Sequence, residues 1–244
     1  MDRRTALTSL GATLAATSVL AQQSPAYKSK IAVLGTGHLG QILAKGWAKA
    51  GHPIVYGSRT PEDAKVVKVV QDTGPGVSVT TNREAAAQSE IIVFALPWKP
   101  VKELVAGLGD LSGKILIDPM NSLKMVDGYP VLADVTTSVG EELQSYAPTA
   151  HVVKAFNTPD SSNIAHPEQV SGGKVSIPLA GADTAAKARV AELVSELGLE
   201  PVDTGPLIAA RYLEAMMLVS LGYYFYGKRT KSFEYYLAPV RQRT

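Results

Sequence analysis

Lys30-Ile31-Ala32-Val33-Leu34-Gly35-Thr36-Gly37-His38-Leu39-Gly40 is the stretch that decides the fold. Lys30 to Leu34 is a short apolar run of the kind buried on both faces in a parallel sheet. It passes straight into G-x-G-x-x-G. Gln41 to Ala50 then carries Ile42, Leu43, Gly46 and Trp47 at helical spacing, and Gly51 stops the helix. A glycine loop alone is weak evidence, but one that follows a strand and opens a helix reads as a nucleotide site. Gly35 permits the tight turn, Gly37 lets a pyrophosphate approach the backbone, and Gly40 lets the helix pack on the strand. The helix N-terminus offers free N–H groups and a positive dipole end to phosphates. Thr36, His38 and Leu39 complete the candidate loop. His38 reads equally well as a solvated first-turn residue.

The next strand, Pro53-Ile54-Val55-Tyr56-Gly57, ends in Ser58-Arg59-Thr60. Folds that prefer NAD place Asp or Glu here to accept hydrogen bonds from the adenosine ribose. No acid occurs before Glu62. A guanidinium flanked by two hydroxyls suits a 2′-phosphate through charge-assisted hydrogen bonds, so Ser58, Arg59 and Thr60 predict NADP rather than NAD.

Alternation continues outward from this unit. Helices are predicted over 61–72, with Pro61 in the first turn, over 82–88 and over 185–197. Strands are predicted over 77–80, 91–96, 114–118, 151–156, 175–180 and 201–203. The fold class is α/β: a Rossmann-like, doubly wound, mostly parallel sheet over residues 28–222, with a short C-terminal helical extension over 223–244. Ligands of such sheets bind at the carboxyl ends of the strands. That puts Leu96, Pro97, Asn121, Phe156 and Asn157 on the cofactor edge. Asn121 and Asn157 read either as hydrogen-bond partners of a nicotinamide carboxamide or acceptor, or as ordinary turn residues.

Composition excludes several classes. The chain has 244 residues and a formal net charge of +2, which gives no electrostatic case for nucleic acid. Cysteine is absent, which removes disulfides, Cys-ligated zinc and thiol nucleophiles. His38, His52, His151 and His166 are scattered in sequence, so no metal site is expected. Residues 1–21 read as an export signal: Arg3-Arg4, an uncharged small-residue stretch and Val19-Leu20-Ala21, resembling a twin-arginine signal. A polar linker, 22–27, follows. The expected location is periplasmic, with the cytoplasm as the alternative. The stretch is too short and too rich in Ala, Thr and Ser for a stable membrane span.

No acid–base constellation stands out. Arg211 and Glu214, three apart, read as a helix surface pair. Hydride exchange between two redox rings needs only stacking and orientation, so the missing acid favours a flavin-like partner. Tyr223, Tyr224, Phe225, Tyr226, Phe233, Tyr235 and Tyr236 crowd the C-terminus. They read as packing of a terminal helix and loop or a homodimer contact, with a wall of the acceptor pocket as the other reading.

The sequence resembles the NADP oxidoreductases typified by deazaflavin (coenzyme F420)-dependent NADP reductases. The resemblance rests on Gly35 to Gly40, Gly57-Ser58-Arg59, Ala95-Leu96-Pro97-Trp98, Lys154-Ala155-Phe156-Asn157-Thr158 and Glu200 to Leu207. It implies NADP(H) bound along Gly35–Gly40 and Ser58–Thr60, with the nicotinamide near Pro97 and Ala155 to Asn157. A small redox acceptor, flavin or deazaflavin, would stack over it. Pro119-Met120-Asn121-Ser122-Leu123 stands where relatives commonly have an Asn-Pro turn, so the acceptor side differs. Two other readings compete: an NADP(H)-binding sensor or scaffold without catalysis, and a reductase of a small carbonyl or imine. Relatives of the second kind append a large helical domain, for which the few residues after Asp203 are too short.

Overall fold

The computed structural model describes residues 28–99, 101–228 and 233–237. The expected export segment and linker lie outside them. Strands β1 (Ile31–Leu34), β2 (Ile54–Ser58), β3 (Val77–Thr81), β4 (Ile91–Phe94), β5 (Ile115–Asp118), β8 (His151–Lys154), β9 (Ser176–Gly181) and β10 (Glu200–Asp203) form one sheet. Its order is β10-β9-β8-β5-β4-β1-β2-β3. Every neighbouring pair is parallel except β8 with β9. Strand order reverses at β1, whose Ile31 pairs with Ile54 of β2 on one side and Ile91 of β4 on the other. Parallel strands need crossovers, and α1 (His38–Lys49), α2 (Ala64–Thr73), α3 (Asn82–Ala87), α4 (Val101–Leu108), α5 (Val139–Tyr146) and α7 (Thr184–Glu196) supply them, while α6 (Ser161–Ala165) lies in the connection between the antiparallel pair β8 and β9. The long helix α8 (Ala210–Tyr226) follows β10. It continues past residue 222, where the sequence reading divides domain from extension.

Strand alternation sorts the core into two layers. Ala32, Leu34, Val55, Ile92, Phe94, Leu116 and Val152 face α3, α4, α5 and α8. Ile31, Val33, Ile54, Tyr56, Val93, Ile117 and Val153 face α1 and α7. In α1 the buried positions are Gly40, Leu43, Ala44 and Trp47, a single stripe at helical spacing. Trp47 is fully buried, donates its indole N–H to Leu193 O at 3.0 Å, and meets Phe156 edge-on at 5.8 Å.

Some local expectations are corrected. α2 begins at Ala64, not Pro61, because the Asp63 carboxylate accepts from Lys65 N at 2.8 Å and caps the helix there. A hairpin not anticipated from sequence, β6 (Leu123–Val126) with β7 (Tyr129–Leu132), leaves the sheet after β5 and packs on α8. Its turn is Asp127-Gly128, both at positive φ (50° and 78°), the dipeptide that favours a tight hairpin. The C-terminal aromatics fold back on α8. Phe233 lies edge-on to Tyr223 (5.6 Å) and Tyr235 (5.3 Å), and the Tyr235 hydroxyl donates to Met216 O at 2.7 Å. Among the described residues no helix is long and apolar enough to cross a membrane.

Candidate functional site: the carboxyl edge at the strand-order reversal

The glycine turn sits where β1, β2 and β4 end together. Gly35 has φ +108°, and a Cβ there would lie 2.3 Å from Ala95 O, so only glycine fits. At Gly40 a Cβ would lie 2.7 Å from Gly35 O and 3.1 Å from the Ala95 Cβ, which lets α1 start directly on the turn. Gly37 differs: a Cβ there would meet nothing within 4 Å. It is the N-cap of α1, exposed, and no side chain caps the helix. Gln41 N donates to Gly37 O at 3.0 Å, and the Gln41 amide braces the turn through Thr36 O at 2.9 Å. Uncapped first-turn N–H groups beside open space make an anion cradle. His38 and Leu39 are the first residues of that turn, His38 exposed and Leu39 half-buried.

Gly35 N donates to Gly57 O at 3.3 Å, which places the end of β2 beside the cradle. Ser58 accepts from Thr60 N at 3.1 Å, fixing the turn that carries Arg59. Arg59 is exposed and has no hydrogen-bond or ion-pair partner among the described residues. A guanidinium with no partner among the described residues thus follows β2 on the same sheet edge as the glycine turn. Leu96, half-buried, and Pro97, exposed, follow Ala95 at the end of β4 on that edge. These features fit NADP(H) at both its pyrophosphate and its 2′-phosphate.

On the far side of β4, the ends of β5 and β8 carry a second group. Asn121 Nδ2 donates to Asn157 O at 3.1 Å, and Asn157 Nδ2 donates to Asn121 Oδ1 at 3.0 Å and to Leu213 O at 2.9 Å. The two asparagines are therefore joined. Ala155, Phe156 and Asn157 are all buried; Phe156 sits at φ +62° and turns its ring under the sheet toward Trp47. Two buried oxygens here, Asn157 Oδ1 and Thr158 Oγ1, have no partner. Leaving such groups unpaired costs about 1–3 kcal/mol each, a cost that recurs at ligand sites.

Sequence reading missed an ionic cluster directly beneath. Lys154, fully buried, donates to Asp118 Oδ2 (2.9 Å), Glu214 Oε1 (2.6 Å) and Met120 O (2.5 Å). All three ammonium protons are used. Asp118 Oδ1 accepts from Met120 N at 2.8 Å. Glu214 also accepts from Val139 N (2.8 Å), at the first turn of α5, and from Ser122 N (3.2 Å). Burial pushes the Glu214 carboxyl above the usual carboxylate range, against the pull of Lys154. Burial also raises Glu142, with Glu214 adding to it. The expected Arg211–Glu214 surface pair does not form. Glu214 faces inward, and Arg211 instead makes a two-pronged contact with Glu141 at 2.8 and 2.7 Å. The signal was present in the sequence: Asp118 and Lys154 each end an apolar strand, and buried charges must be paired.

Comparison with known proteins agrees with this geometry. The family of coenzyme F420-dependent NADP oxidoreductases matches residues 30–122. The chain superimposes on a candidate F420-dependent NADP reductase from Arthrobacter sp. FB24 with a TM-score of 0.78 and 33% identity, covering 86% of this chain and 100% of that one. Metalloreductase STEAP3 of Rattus norvegicus is 30% identical over 196 residues, covering 80% of this chain but 37% of the relative. The F420-dependent NADP reductase of Methanothermobacter marburgensis is 35% identical over 96 residues, 36% of this chain and 43% of the relative. The chain thus spans less than half the length of these curated relatives.

Proposed function

The chain belongs to the coenzyme F420-dependent NADP oxidoreductase family, and from that premise we propose that it transfers hydride between NADPH and a small redox acceptor of the flavin or deazaflavin class. Arg59 carries the reading: a guanidinium with no partner among the described residues, where an NAD-type site needs a carboxylate, just past the end of the strand beside the glycine turn. Gly37 and the first-turn N–H groups of α1 hold the pyrophosphate. Ser58 and Thr60 frame the 2′-phosphate around Arg59. Leu96, Pro97 and the segment carrying Ala155 and Asn157 would hold the nicotinamide half. When bound, reduced nicotinamide supplies a hydride from its ring to the acceptor stacked on it.

No proton donor is required for exchange between two such rings. Lys154, buried with its three protons donated to Asp118, Glu214 and Met120, is placed to hold these groups rather than to meet a carbonyl or imine. The names of the relatives supply the acceptors to try. Purified protein should be mixed with NADPH or NADH and with deazaflavin, FMN, FAD or ferric chelates, and loss of reduced nicotinamide followed by absorbance. Oxidation of NADPH, and not NADH, with one of the ring acceptors is expected. NADPH binding without turnover on any acceptor would favour a sensor or scaffold instead.

A further inference from the structure

We propose that Lys154, clamped between Asp118 and Glu214, is a positioning residue that sets the nicotinamide half of the site while leaving the adenosine half untouched. The inference rests on the NADP(H) reading above. Two ladders of contacts lie one residue apart. The ionic ladder joins Met120, Lys154 and Glu214. The amide ladder joins Asn121, Asn157 and Leu213. Met120 precedes Asn121, and Leu213 precedes Glu214. Lys154 lies three residues before Asn157, with Phe156 in a left-handed conformation between them. Moving the ammonium therefore moves both anchors of the asparagine pair at once.

The same cluster fixes the surrounding frame. Glu214 holds α8 to the start of α5 through Val139 N and to the turn after β5 through Ser122 N. Asp118 holds that turn through Met120 N. Around it, Glu142 is the other acidic group whose carboxyl responds to Glu214 and Asp118. Nothing in the cluster touches Gly35 to Gly40 or Arg59. The glycine turn is braced by Gly57 and Gln41, and the turn that carries Arg59 by the bond between Ser58 and Thr60. The two halves of the cleft are thus held by separate sets of residues. The unpaired Asn157 Oδ1 and Thr158 Oγ1 fall on the Lys154 side.

The test compares two probes on full-length wild type, Lys154→Met and Glu214→Gln. One probe is 2′,5′-ADP, which has the adenosine half alone; the other is NADPH, followed by calorimetry and by the emission spectrum of its reduced ring. In both variants 2′,5′-ADP should bind within about twofold of wild type. NADPH should bind about tenfold more weakly, as expected for one displaced hydrogen-bonding group, with emission shifted toward that of the free nucleotide. A purely structural role would lower the melting temperature and shift both probes together, and that outcome overturns the inference. So does NADPH binding and emission unchanged in a folded variant. Should Lys154→Met fail to fold, Glu214→Gln decides, since it keeps side-chain shape and an acceptor for Val139 N. Failure of wild type to bind either probe would reject the NADP(H) reading itself, and a specific loss in the variants alone cannot arise from that failure.

Discussion

Replacing Gly37 by Val should abolish nucleotide binding without unfolding the protein, whereas replacing Gly35 by Ala should do the reverse damage. At Gly37 the backbone is extended (φ −72°, ψ 176°), a conformation open to any residue, and an added Cβ meets no protein atom within 4 Å. The fold therefore loses only the N-cap preference for glycine over valine, at most about 1 kcal/mol. For a domain of this size that is a fall of about 2–4 °C in melting temperature. On the proposed placement, the side chain enters the space the pyrophosphate would take. Losing even one charge-assisted hydrogen bond there costs about 1.5–3 kcal/mol, or about 10- to 150-fold in affinity, for NADPH and NADH alike. Gly35→Ala meets a different fate. It combines φ +108° with a Cβ 2.3 Å from Ala95 O. Left-handed strain contributes about 1–2 kcal/mol and the overpacked carbonyl about 1–3 kcal/mol. Differential scanning fluorimetry with nucleotide calorimetry separates the two. A folded Gly37→Val protein that binds NADPH like wild type would refute the placement of the phosphates.

Three further outcomes are expected, one from the structure and two from the sequence. The Arg211 guanidinium holds the Glu141 carboxyl below the usual carboxylate range, so this pair stabilises the fold at pH values above that range. Its contribution disappears as pH falls through the depressed value, and Glu141→Gln should flatten the acid limb of the stability profile. An acid limb unchanged in Glu141→Gln would show that the pair does not contribute. We propose export for residues 1–21, so Arg3-Arg4 changed to Lys-Lys should retain the protein inside the cell in a fractionation assay. A chain beginning at Gln22 should bind NADPH like the full sequence. Continued export of the Lys-Lys protein would point to the general secretory route.

The fold around the candidate nucleotide half of the site is legible because its sequence signals are local. A strand, a glycine turn and a helix are contiguous from Lys30 to Ala50, and Arg59 ends the very next strand. The acceptor half was not, because it is assembled from residues far apart in the chain. Asn121 and Asn157 could be placed on the correct edge from strand ends alone, but their mutual bonding depends on register between β5 and β8. Glu214 was assigned to a surface because Arg211 stands three residues away on one helix. Tertiary packing overrode that local pairing, turning Glu214 toward Lys154 and giving Arg211 to Glu141. The hairpin after β5 was missed although Asp127-Gly128 carries a strong turn signal, since its strands are short and β6 is largely exposed.

The most direct test of the account is the nucleotide preference of Arg59→Ala, measured by calorimetric titration with NADPH and NADH beside wild type. Arg59 is exposed and has no partner among the described residues, so its removal should leave the fold intact. It should cost NADPH about 1.5–3 kcal/mol of binding, the range for a charge-assisted contact, and barely change NADH. Equal losses for both nucleotides, or none for either, would contradict the assignment of Arg59 to the 2′-phosphate and with it the NADP(H) specificity of the site.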